Sequence, residues 1–245
     1  MYKSKVLVSF VLILYVLFVV FEFSGKYDLS FYFDSLIIPA ITLIYLLFVK
    51  KKNTYFLLFL VFYTIGDLFF LLIDFLPVED TFMVKNMDYY VGNSIFIIAY
   101  LFLFFKIIKS VCFFHIIKNH KIHLLVLTVL NIYLIYVLQV IVKPNVLLSM
   151  GYYFELIYNI VTLLLLTVAL LNYFYRDNKK ALYLFLGVLC LVFSEVIDIA
   201  FIYIAQRSVL SIIATSLSLV AFLFLFEQSK LLNKSREEEN YMAVE

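Results

Sequence analysis

The stretch TYFLLFLVFYTIGDLFFLLIDFL, residues 54–76, decides the fold. Its apolar residues run on without the two-residue alternation of a half-buried strand, and Asp67 and Asp74 are its only charges. At ~1.5 Å per residue a helix of this length covers the hydrocarbon core of a bilayer, about 30 Å thick. Seven further runs of the same character flank it, near 6–23, 35–49, 89–109, 122–142, 146–174, 181–204 and 208–227. Over the 245 residues, 66% are hydrophobic and 15% charged, far more apolar surface than a water-soluble core needs. Backbone groups in lipid must be satisfied within the chain, so unbroken apolar runs imply helices rather than an open sheet. The expected fold is all-α: a polytopic bundle of eight spans over residues 1–228, followed by a frayed, solvated tail over 229–245.

The second run is short and carries Pro39, which removes one helical hydrogen bond, so a tilt, a kink or burial among neighbours is expected there. The basic residues give an independent reading of orientation. Fifteen of the nineteen Lys and Arg fall on one side of the eight runs, and the other side holds only Lys26, Lys85, Lys143 and Arg207. Both termini are therefore expected in the cytoplasm. A net charge of +2, with its cations clustered between spans, gives no nucleic-acid signature. The first run is too long for the apolar region of a signal peptide and is read as a retained helix. Cys112 and Cys190 lie in different segments with no metal-like spacing. His115, His120 and His123 sit in a mixed stretch, 106–123, read as an interfacial helix rather than a ligand set.

Ionisable side chains away from span ends are costly, at least ~2.5 kcal/mol each, and are functional candidates for that reason. Here they are Asp67, Glu155, Glu195 and Asp198, with Asn93, Asn131, Gln139 and Asn159 as neutral companions. Counting the helical rise from the cytoplasmic ends places Asp67 at ~19 Å and Glu195 at ~21 Å, with Asp198 one turn further out; Asn93 and Glu155 lie ~6 and ~13 Å below the opposite surface. Polar groups from four helices at similar depth imply a shared cavity in the outer half of the bilayer. Glu155 with Asn159, Glu195 with Asp198, and Asp67 with Tyr63 each share a helix face. No Lys or Arg lies at that depth, so a protonated acid beside an ionised one is expected. The bland alternative is that these acids, with tyrosines such as Tyr63 or Tyr100, only hold the helices together by hydrogen bonds.

The segments SLIIPAITLIYLL (35–47) and YTIGDLFFLL (63–72), with GNSIFIIAY (92–100) and FSEVIDIAF (193–201), resemble the YhhN family of eight-helix membrane proteins, whose characterised members are lysoplasmalogenases. Pro39, Gly66-Asp67, Gly92, Phe96, Ala99 and Ser194 stand where that family has its early proline, its Gly-Asp, its fourth-helix pattern and its seventh-helix serine. Tyr100 stands where the family usually has histidine, and Glu195 replaces an aspartate for which Asp198, one turn on, can substitute. The family's polar last helix is represented by Thr215, Ser216 and Ser218.

The resemblance implies hydrolysis of the vinyl ether of a lysoplasmalogen by carboxyl acid/base catalysis. Asp67 and Glu195 would be the catalytic pair with Asp198 in reserve. Asn93, Tyr100, Glu155, Asn159 and Tyr63 would bind substrate or water, and no metal or cofactor is called for. A non-catalytic lipid-binding protein, a proton-coupled transporter, a sensor and a structural partner in a membrane complex are the rival classes, although the cytoplasmic halves look sealed by Leu, Ile and Phe. Gly66-Asp67 and Ser194-Glu195 occupy the third helix of each half and are compatible with a weak parallel repeat. The Phe, Tyr, Ile, Lys and Asn bias points to a bacterial inner membrane, a membrane lipid or lysolipid is the expected partner, and oligomeric state is left open.

Overall fold

A computed structural model describes residues 2–50, 52–75, 88–110, 121–142 and 149–231. Among the described residues every regular element is a helix: α1 (Tyr2–Phe23), α2 (Tyr27–Ser35), α3 (Ile37–Phe48), α4 (Thr54–Phe75), a π turn (Asp88–Gly92) leading into α5 (Asn93–Ile108), α6 (Lys121–Val142), α7 (Ser149–Arg176), α8 (Lys179–Tyr203) and α9 (Ser208–Lys230). Seven helical segments are long and apolar enough to cross a membrane, α2 and α3 counting together as Tyr27–Phe48, and Leu7–Phe23 of α1 is a shorter apolar helix. Cys112, His115, His120 and the tail beyond Leu231 lie outside the described residues. His123 opens α6, its ring 5.4 Å from that of Phe174.

Local chemistry explains the joints. Gly25, at φ +71°, ends α1 as only glycine readily does: Gly25 N–H bonds to Glu22 and Lys26 N–H to Phe21, the paired closure that satisfies the last carbonyls of a helix. The chain turns straight into α2, so the second apolar run begins at Tyr27 rather than at 35. The sequence reading is corrected here: residues 27–34 are helix, not loop. Pro39 has no N–H to offer the carbonyl of Ser35, and the bend between α2 and α3 falls there, at Leu36. Asn53 caps α4 by accepting from Phe56 N–H at 3.1 Å, and Asn178 caps α8 by accepting from Ala181 N–H at 2.9 Å.

Glycines set the closest packing. A Cβ on Gly66 would lie 2.8 Å from the Phe96 ring and one on Gly92 only 2.4 Å from the Phe70 ring, so α4 and α5 each supply a notch for the other's phenylalanine. Phe70 and Phe96 then stack at 5.9 Å. Gly187 of α8 likewise admits Leu225 of α9. The outside is as apolar as the core: Ile122, Leu125, Val129 and Ile132 of α6 are all more than 60% exposed, a surface suited to lipid rather than water.

Candidate functional site

The site grows from a floor of aromatic rings. Phe59 stacks on Phe222 at 5.7 Å, and Tyr63 meets Phe222 edge-on at 5.1 Å and Phe96 at 4.8 Å, all in the middle of the bundle. Below this floor lie buried Tyr45, Phe56, Leu103, Ile107 and Leu225, and Lys106 closes that end with its Nζ 2.7 Å from Gln228 Oε1 and 4.3 Å from the Phe56 ring centroid. Above it the helices part around a cavity of about 720 Å³, within the usual range for small-molecule sites.

Each wall presents one helix face. Tyr63, Asp67 and Phe70 come from α4, Asn93 and Phe96 from α5, and Glu195, Asp198 and Ile202 from α8, all at the three- and four-residue spacing of a single stripe. Asp67, Glu195 and Asp198 therefore line one cavity, together with Tyr63 and Asn93. Ser194 also lines it, its hydroxyl donating to the Ala214 carbonyl at 2.8 Å, which ties α8 to α9.

Tyr100, Glu155 and Asn159 do not line the cavity. Tyr100 is fully buried behind the wall and donates a hydrogen bond to Glu195 Oε1, while Tyr158, which does line it, donates to Glu195 Oε2 at 2.6 Å. Glu155 belongs to a separate node, accepting from Tyr89 at 2.8 Å and Tyr203 at 3.0 Å and so joining α7 to the π turn and to α8. Asn159 is 2% exposed with its Nδ2 unpartnered. Glu155 and Asn159, expected to bind substrate or water, thus stand apart from the residues that line the cavity.

The structure adds residues that the spans hid. Glu22 at the end of α1 and Asp34 on α2 line the same cavity, as do Ser208 and Ser211 of α9, which form one polar stripe with the Thr215 and Ser218 already named for the last helix. Ser216 points elsewhere, sharing a 2.6 Å hydrogen bond with Tyr15 of α1. The i, i+3/i+4 spacing of the α9 stripe was a readable signal. Asp34 lies in electrostatic reach of Glu22, Asp67 and Asp198, and Glu195 of Asp67 and Asp198. Among the described residues no Lys or Arg lines the cavity, and no three His, Cys, Asp or Glu are placed to share a metal ion.

Glu195 and Asp67 differ in what holds them. Both oxygens of Glu195 accept hydroxyl donors, whereas Asp67 Oδ2 is buried without a partner. A carboxylate is acceptor-only and suits the first setting; an unpartnered carboxyl oxygen suits a group that carries or hands on a proton. The chain matches no protein-family model, no curated protein and no solved structure, so the resemblance rests on the residues quoted above and the function is argued from the cavity itself.

Proposed function

We propose that the protein is an integral membrane lipid hydrolase resembling lysoplasmalogenases, crossing a bacterial inner membrane eight times with both termini in the cytoplasm. The observation that carries the reading is the convergence of Asp67, Glu195 and Asp198 on one cavity that Phe70, Phe96, Ile37, Ile38, Ile202 and Leu219 also line. Acids beside apolar walls suit a substrate that has a reactive bond near its polar head and a long hydrocarbon chain. The distribution of Lys and Arg supports the orientation, with the cavity opening toward the cation-poor face.

Asp67 delivers a proton to the outer carbon of the vinyl ether, leaving an oxocarbenium cation at the carbon bonded to oxygen. Glu195, held by Tyr100 and Tyr158, stabilises that cation as a carboxylate. Water adds to the cation and gives up a proton to a carboxylate of the set, forming a hemiacetal. The hemiacetal collapses into a fatty aldehyde and the free glycerol hydroxyl, so one water is consumed and no oxidant or metal enters. Asp198, one turn from Glu195 in the same lining, takes the proton from water, and Asn93 orients it.

The test is aldehyde release from purified protein given lysoplasmalogen. Wild type is expected to release aldehyde, and Asp67→Asn and Glu195→Gln each to lose at least ~10²-fold, the usual contribution of a positioned acid or base. A wild-type protein that binds lysoplasmalogen but releases no aldehyde would transfer the site to a lipid-binding or transport role.

A further inference from the structure

The end of the cavity nearest the Gly25 turn is built mainly by α1 and α2. Phe18 and Glu22 lie one turn apart on α1, and Tyr27, Ser30, Phe31 and Asp34 recur every three to four residues along α2, so both helices turn one face to the same space. Glu22 is only 5% exposed; its Oε2 accepts from Ser30 at 2.6 Å and its Oε1 has no partner. Asp34, one turn beyond Ser30, neighbours Thr215 of α9. Among the described residues neither carboxyl forms an ion pair. The hydrolytic step uses neither of them, and an acid held out of water with no counter-charge is a costly arrangement.

We propose that this chamber is a binding site for an organic ammonium group. A cation brought by the ligand supplies the charge that no described residue of the lining offers. Among the described residues no three His, Cys, Asp or Glu are placed to share a metal ion, and an organic cation needs no such ligand set. The rings of Phe18, Tyr27 and Phe31 in the same lining offer the aromatic faces that attract ammonium groups. A lipid head group and a free amine carry the same chemistry, and binding here does not require that any bond be cleaved.

Equilibrium dialysis of the full-length protein with labelled choline, and with its uncharged isostere 3,3-dimethylbutanol, tests the charge requirement without any variant. Lysophosphatidylethanolamine and lysophosphatidic acid, presented in the same detergent, form a second pair that differs in the amine. Preference for the ammonium-bearing member of either pair by at least tenfold is the expected result, in the first pair identifying a free amine as ligand and in the second alone a lipid head group. Glu22→Gln and Asp34→Asn are expected to remove that preference, while Glu227→Gln, in a surface pair with Lys230 at the far end, keeps it. Asp67→Asn, silent in aldehyde release, still binds, so loss of hydrolysis and loss of this site are read separately. Equal binding of charged and uncharged members in both pairs overturns the proposal, as does full preference in a folded Glu22→Gln, Asp34→Asn double variant.

Discussion

Tyr100 on α5 donates its hydroxyl to Glu195 on α8 from a position with no solvent exposure, and so fixes the carboxyl at the edge of the cavity from behind. Tyr158 holds the other oxygen. Removing the hydroxyl in Tyr100→Phe is expected to cost about 1–3 kcal/mol of stability, because a buried acceptor loses a donor, and, under the proposed mechanism, to slow aldehyde release. Tyr100→His restores a ring N–H in donor position and is expected to keep more activity than Tyr100→Phe. Thermal unfolding and aldehyde assays on the two variants check this. Equal activity in both would show that the hydrogen bond does not position Glu195.

Asp67 carries a different signature. Its Oδ2 is buried without a partner, so replacing the acid relieves an unfavourable burial. Asp67→Leu is expected to unfold at a temperature equal to or above that of wild type while losing aldehyde release. A clear drop in unfolding temperature would mean that Asp67 holds the bundle together, the bland reading of the membrane acids.

The α4–α5 notch predicts a steric result. Phe96 is packed between Phe70 and Tyr63, so its ring cannot retreat from a new methyl group at Gly66. Gly66→Ala is expected to destabilise by about 1–3 kcal/mol, the usual effect of overpacking, and pairing it with Phe96→Leu to recover part of that loss. Purely additive losses in the double variant would exclude the contact as the cause.

Much of this was legible before the structure. Gly66-Asp67, Glu195 and Asp198 stood out because ionisable groups inside apolar runs are rare, and helical rise placed them at one level. Asp34 escaped because it lies just before the apolar run read from 35, and only the tight Gly25 turn reveals that the helix begins at Tyr27. Glu22 sits at a helix end, where an acid looks solvated until α2 folds back over it. Glu155 shows the converse: its carboxyl accepts from Tyr89 and Tyr203, partners far away in sequence that no count along one helix reveals.

Gln139 on α6 and Asn159 on α7 are both nearly inaccessible, and neither Gln139 Nε2 nor Oε1 has a partner. Gln139→Leu keeps the volume and removes an unsatisfied donor and acceptor together, so unfolding is expected to shift upward, by about 1 kcal/mol. Destabilisation instead would reveal a buried water held by the Gln139 amide.

The proposed mechanism turns on a carboxyl of this cavity protonating carbon. Aldehyde released from lysoplasmalogen in deuterated water, trapped at once by reduction to the alcohol, reports it directly by mass spectrometry. The mechanism predicts one deuterium on the carbon next to the former carbonyl, with signal lost in Asp67→Asn. Aldehyde formed without that deuterium, or formed equally by Asp67→Asn, would contradict it.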